Sequence, residues 1–112
     1  MTAAEDSEFR IRLRELTTAL EEMEDLLRNN NAEGWAEWVG RVLAGLNRHD
    51  ADALDHLLGP YRGGMGSFND LVLGDWTWPV GPVPVAIRQA NDRLSELRER
   101  CYSLAIHLRG RP

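Results

Sequence analysis

The sequence contains no lysine, one cysteine and no long apolar run, and each absence narrows the kind of protein it can encode. All thirteen basic residues are arginine, a bias typical of GC-rich bacterial genomes. The lone Cys101 cannot form an internal disulfide, which fits a reducing compartment. No apolar stretch approaches the ~20 residues of a membrane span, and the charged amino terminus lacks the apolar core of a secretion signal. These features predict a cytoplasmic protein with no membrane contact.

The length and composition predict one globular domain over residues 1–112. The chain is 43% apolar and 28% charged, which is ordinary for a folded protein. Its net charge of −5 is unevenly distributed. Residues 1–56 hold 13 acids and 6 arginines, or −7, and residues 57–112 hold 5 acids and 7 arginines, or +2. The acidic first half disfavours nucleic acid, whose affinity comes mainly from neutralised phosphates. A protein partner or self-association is the expected mode of binding.

Apolar residues recur at helical spacing in stretches that predict an all-α fold. The predicted helices cover about 7–29, 32–47, 51–58 and 84–109, and residues 59–83 are expected to be irregular. Expected N-caps are Asp6 or Ser7, Asn31 and Asp50, and Pro84 is expected to open the last helix. The two longest stripes consist of Phe9, Leu13, Leu16, Leu20, Met23 and Leu27, and of Ile87, Ala90, Leu94, Leu97, Cys101, Leu104 and Leu108. We therefore expect a small up-and-down bundle of about four helices with a long Gly/Pro-rich crossover loop.

Six of the ten glycines and four of the five prolines lie in residues 59–84, and the densest local signal there is Gly63–Leu71. Glycine-rich loops can hold phosphates on backbone N–H groups, but the nucleotide-binding versions add a lysine or a preceding strand, and neither is present. The alternative is structural, because glycines adopt positive φ and Ser67 with Asp70 has the spacing of a capping box. The candidate binding residues of this loop are Gly64, Gly66, Ser67, Asn69 and Asp70.

At Gly63–Leu71 the chain resembles small bacterial domains of uncharacterised function that carry a G-G-M-G-S-[FL]-N-D-L core. In that family a variable stretch follows, and then a final amphipathic helix that opens near an asparagine, which would be Asn91 here. The resemblance covers the second half of the chain and implies that the loop is important. Such small domains are similar to immunity or antitoxin-like accessory proteins, although the family implies no particular activity.

Trp76 and Trp78 form a second candidate binding feature. In an extended segment stiffened by prolines, alternate residues face the same way, so that both indoles can point into one surface. They can cover the core of the bundle, or they can anchor a protein partner, since tryptophan is enriched in binding hot spots.

Arg100 and His107 share one face of the last predicted helix, two turns apart. This R-x6-H spacing is similar to that of HEPN-type helical ribonucleases, in which a histidine moves a proton and an arginine binds phosphate. The residue after the arginine, usually polar in that family, is Cys101 here. The alternative is a solvated helix edge on which Arg93, Arg100 and His107 pair with acids of the first helix.

One further cluster could be a metal site, because Asp52 and His56 stand one helical turn apart. Asp50 is better used as a helix cap, and no third fixed ligand or cysteine pair joins them, so neither metal nor cofactor is expected. The members of this cluster are His49, Asp50, Asp52, Asp55 and His56.

The favoured function is a non-enzymatic protein-interaction domain that can act as an immunity or antitoxin-like regulator of a bacterial partner. A HEPN-like ribonuclease and a structural homodimer are the alternatives.

Overall fold

A computed structural model describes residues 3–50, 52–62, 68–74 and 84–110, and over these ranges the protein is a small all-α helical bundle. The predicted fold class is therefore confirmed. Four α-helices are described: α1 (Ala3–Asn29), α2 (Glu33–Asn47), α3 (Ala53–Leu58) and α4 (Val85–Arg109). Two short 3-10 helices, Gly59–Arg62 and Phe68–Asp70, lie between α3 and α4.

The core lies between α1 and its two neighbours, because α1 packs against both α2 and α4. Helix α3 packs in turn against α2 and α4. The predicted stripes of α1 and α4 supply a large part of the core, and α2 and α3 supply much of the rest. The second 3-10 helix and the segment after it contribute Phe68 and Leu73. The large side chains that are fully buried are Phe68, Leu16, Leu20, Met23, Leu27, Leu57, Leu58, Leu94, Leu97, Val39, Val42 and Cys101.

The turn that ends helix α1 contains Asn31, which was expected to be the N-cap of the second helix. Asn31 has a φ of 64°, in the left-handed region. The Ala32 N–H donates to Leu27 O at 2.9 Å and the Asn31 N–H donates to Arg28 O at 3.3 Å, which is the Schellman pattern. Asn31 therefore terminates α1. The N-cap of α2 is Ala32, which makes no side-chain capping bond.

The carboxyl end of α2 repeats this arrangement. His49 has a φ of 58°. The Asp50 N–H donates to Gly45 O at 2.9 Å, and the His49 N–H donates to Leu46 O at 3.1 Å. His49 thus occupies the position where glycine is the usual residue, and its role here is to reverse the chain.

Helix α1 begins four residues before the predicted start. It runs from Ala3, so Asp6 and Ser7 lie within the helix and do not cap it. The sequence Ala3-Ala4-Glu5 explains the extension, because alanine and glutamate are strong helix formers and acids near the amino end favour the helix dipole.

The boundaries of α3 and α4 also differ slightly from the prediction. Asp52 is the N-cap of α3, and Asp50 instead accepts the Asp52 N–H on Oδ1 at 2.9 Å. Pro84 is the N-cap of α4, one position before its first helical residue. Helix α3 ends at Leu58, before Gly59 and Pro60, and a 3-10 helix continues from this point to Arg62. Among the helices described, none is long and apolar enough to cross a membrane.

His49→Gly is expected to stabilise the protein, because a left-handed backbone strains a residue with a β-carbon and does not strain glycine. The extra chain entropy of glycine in the unfolded state offsets part of this relief, which leaves a gain of up to about 1 kcal/mol. Thermal unfolding followed by circular dichroism measures it. Arg48→Gly is the matched control, since Arg48 has an ordinary φ of −87° and should only lose stability. A loss with His49→Gly would contradict the interpretation of this turn.

Leu20→Ala and Leu97→Ala should each lower the free energy of unfolding by ~2–5 kcal/mol, because both leave a cavity in the centre of the core. Leu20 is fully buried and Leu97 is 2% exposed. Ile11→Ala is the matched control on α1, where the side chain is 58% exposed, and it should cost much less. Urea titrations of the three variants compare the costs, and equal losses would show that the core is wrongly placed.

Candidate functional site

The second 3-10 helix, which lies within the Gly63–Leu71 sequence, is fixed to the bundle by the ring of Phe68. This ring is fully buried. Its centroid lies 4.9 Å from that of Trp35, 4.8 Å from that of Trp38 and 5.4 Å from that of Tyr61. Aromatic pairs at these separations add stability beyond the area that they bury. Residue 68 thus joins α2 to the first 3-10 helix.

Arg98 of α4 holds the backbone on both sides of the same short helix. Its Nη1 donates to Phe68 O and to Leu71 O, both at 2.8 Å, and its guanidinium carbon lies 5.7 Å from the centre of the Phe68 ring. Phe68 O also accepts the Leu71 N–H at 3.2 Å within the short helix, and the guanidinium adds a charged donor to this carbonyl and to that of Leu71. Arg98 therefore positions the segment 68–71 on α4.

Asn91 holds the next residues in the same way. Its side-chain oxygen accepts the Leu73 N–H at 2.6 Å, and its Nδ2 donates to Leu73 O at 3.0 Å and to Ile87 O at 3.1 Å. Gly74, which follows, has a φ of 116°, and a β-carbon there would lie 3.1 Å from Ile87 Cγ2. The backbone of Leu73 is therefore paired by one amide side chain of α4.

A cleft of about 340 Å³ opens between the two 3-10 helices and α4. One wall is Tyr61, whose hydroxyl donates to Arg98 O at 2.9 Å. The Tyr102 ring lies with its centroid 5.2 Å from that of Tyr61 and is 42% exposed. The residues that line the cleft are Tyr61, Asn69, Ser95, Arg98, Glu99 and Tyr102.

The chemistry of the cleft suits binding. Burial raises the pKa of the Tyr61 hydroxyl far above its usual range, so this group stays a neutral hydrogen-bond donor. Nearby, burial raises the pKa of the Cys101 thiol to about 12, which makes it a poor nucleophile at neutral pH. Aromatic rings, an amide and one carboxylate remain as groups that can contact a ligand.

Most of the predicted binding residues lie outside the described ranges. These are Gly64, Gly66 and Ser67 of the glycine-rich loop, and Trp76 and Trp78. Asn69 is described, and it lines the cleft while its Nδ2 donates to Tyr61 O at 3.1 Å. Asp70 is the last residue of the second 3-10 helix.

Arg100 and His107 lie at the seam between α1 and α4, away from the cleft. Arg93, Arg100 and His107 face Glu22, Glu15 and Glu8 respectively, with N···O distances of 3.7 Å for Arg100 and 3.9 Å for His107. Hydrogen bonds from Arg93 lower the pKa of Glu22. The predicted pairing of this edge with acids of the first helix is confirmed. The positions rise by seven on α1 as they fall by seven on α4, so the two helices are antiparallel.

Sequence reasoning missed three residues that build the site: Tyr61, Asn91 as a backbone partner, and Arg98. The sequence contained one weak indication of Asn91 and Arg98 as a pair, because they stand seven residues apart and therefore share one flank of α4. Over the described residues, no group of three or more His, Cys, Asp or Glu side chains is placed to hold a metal ion.

A family model described as "Domain of unknown function (DUF6966)" matches residues 28–77, somewhat less than half of the chain. The matched segment contains α2, α3 and both 3-10 helices, together with the Gly63–Leu71 sequence. Helix α4, which carries Asn91 and Arg98, lies outside it. No curated protein and no solved structure matches the chain.

Arg98→Lys should destabilise the protein by ~1–3 kcal/mol, because the shorter lysine side chain places its nitrogen away from the point where Nη1 bonds the carbonyls of Phe68 and Leu71. Arg100→Lys is the matched control on the same helix, where an exposed ion pair is worth ~1 kcal/mol or less. Chemical denaturation gives both values. Equal, small losses would show that the two carbonyls do not depend on the guanidinium.

Proposed function

We propose that this chain is a non-enzymatic protein-interaction domain that binds its partner at the cleft between the two 3-10 helices and α4. The observation that carries the proposal is an exposed apolar pair on α4, of which Tyr102 lines the cleft. Tyr102 and Ile106, one turn apart on α4, are each 42% exposed. Tyrosine is enriched in interface hot spots, and adjacent apolar side chains supply the dehydrated centre that such interfaces need.

The surroundings of this pair support binding to a protein. The cleft contributes Asn69 and Glu99 as polar groups at its rim, in keeping with the mixed character of protein interfaces. Hydrogen bonds of Arg98 and Tyr61 fix the residues that line the cleft, so binding costs little conformational entropy. The exposed carboxylate of Glu99 favours a partner with a basic group at this point of its own contact surface.

The cellular role that we propose is that of an immunity or antitoxin-like regulator in the bacterial cytoplasm. The all-arginine composition and the resemblance at Gly63–Leu71 support a bacterial source. A small domain of this kind would neutralise its partner by covering a functional surface. Trp76 and Trp78 are further candidate contacts in this proposal.

Tyr102→Glu combined with Ile106→Glu should abolish partner capture from a lysate of the source cells, because two charges would be placed in the apolar centre of the interface. The matched control is Val85→Glu, which places a charge at another exposed apolar position of α4, 57% exposed. A stoichiometric partner should be recovered with the parent and the control, and lost with the double variant. Both variants should keep the circular dichroism spectrum of the parent. Recovery of no stoichiometric partner, or equal recovery with the double variant, would contradict the proposal.

The ribonuclease alternative stays a prediction, and its two residues, Arg100 and His107, are exposed and each face a glutamate of α1. It requires RNA cleavage by the parent that is lost in the Arg100→Ala, His107→Ala double variant. The structural homodimer also stays a prediction, and sedimentation at two concentrations tests it.

A further inference from the structure

A second concave surface lies between α2 and α3, and arginine side chains line it. It is a groove of about 440 Å³, which we call the α2–α3 groove. Helix α3 approaches α2 closely here, since a β-carbon on Gly45 would lie 3.1 Å from Ala53 Cβ. The residues that line the groove are Trp38, Arg41, Val42, Ala44, Gly45, Arg48, Asp50 and His56.

The two arginines of this groove are available for a ligand. Both are exposed, and neither forms an ion pair with any residue that the structure describes. Glu37, one turn before Arg41, does not pair with it, although its spacing is suitable. By contrast, Arg93 and Arg109 are each engaged by a carboxylate of another helix. Arg41 and Arg48 are seven positions apart, which separates them by about 10 Å along α2.

The rest of the groove gives the ligand an apolar contact and a fixed wall. The Trp38 indole N–H donates to His56 O at 3.2 Å, and this bond links α2 to α3 across the groove. One carboxylate, Asp50, lies in the groove, and its Oδ1 already accepts the Asp52 N–H. The surface thus combines two separated cations with the edge of an indole and the apolar atoms of Val42.

We propose that the α2–α3 groove binds an acidic helical segment of another protein, with two carboxylates about 10 Å apart that meet Arg41 and Arg48. A helix with acids at positions i and i+7 presents that spacing on one face. Nucleic acid fits less well, because a continuous phosphate backbone would extend past the groove toward the exposed Glu37 and Asp52, on a chain of net charge −5. The proposal concerns a different surface from the cleft at Tyr102 and is independent of it.

The test uses a stapled helical peptide that carries two glutamates seven residues apart and is otherwise neutral. Its matched control carries glutamine at both positions. Binding to the full chain is measured by calorimetry, and the indole N–H signal of Trp38 in nuclear magnetic resonance spectra reports its location. We expect the glutamate peptide to bind, to shift this signal, and to bind more weakly as salt is added.

Arg41→Gln combined with Arg48→Gln should weaken binding of the glutamate peptide by about tenfold or more. Arg10→Gln combined with Arg14→Gln removes the same charge from exposed positions of α1, and it should change the affinity by no more than about twofold. Equal weakening by both double variants would show that only the net charge matters, and it would overturn the proposal. Equal binding of the glutamine peptide would overturn it as well.

Two further outcomes would assign the groove to another ligand. The proposal fails if a single-stranded RNA binds in a manner that depends on Arg41 and Arg48 while the glutamate peptide does not. It also fails if the parent dimerises, the Arg41→Gln, Arg48→Gln variant is a monomer, and the peptide does not bind. The groove would then belong to nucleic acid in the first case and to a second copy of this chain in the second.

Discussion

The burial of Phe68 is the interaction on which both candidate surfaces depend. Its ring contacts Trp38 on one side, which forms a wall of the α2–α3 groove, and Tyr61 on another, which forms a wall of the cleft. A buried phenylalanine contributes about 3–5 kcal/mol when judged by truncation to alanine. Because the carbonyl of the same residue is bonded to Arg98, the ring and the backbone are fixed together. The position of residue 68 therefore sets the shape of two surfaces that lie on different helices.

The helices themselves could be predicted from the sequence because their apolar residues repeat every three or four positions. This pattern placed Leu20, Leu97 and Cys101 in the core, where the structure has them. The turns were harder to predict, because Asn31 is a common residue both at the start of a helix and in the left-handed position after one. Only the backbone conformation separates the two roles. The left-handed conformation of His49 was harder still to predict, since histidine is unusual at such a position.

The candidate site was less predictable for a different reason. Asn69 could be selected from its place in the glycine-rich sequence, but its neighbours Asn91 and Arg98 come from α4, more than twenty residues later. Asn91 and Arg98 bond backbone groups of Leu73 and Leu71. Because nearly every residue has these backbone groups, the leucine side chains do not indicate that such bonds form. A polar residue on the flank of an amphipathic helix looks the same whether it faces water or a buried carbonyl.

The distribution of charge in space also differs from its distribution along the chain. Two arginines of the basic second half pair with acids of the first half where α1 and α4 meet, Arg93 with Glu22 and Arg100 with Glu15. Arg109 is engaged by Asp55 in the same way. Because exposed pairs of this kind contribute little stability, their main effect is to set the antiparallel register and to remove basic side chains from the free surface. Arg41 and Arg48 belong to the acidic half but take no part in these pairs. A basic binding surface can therefore lie within the half of the chain whose net charge is −7, and the partner's charge has to be inferred from local surfaces.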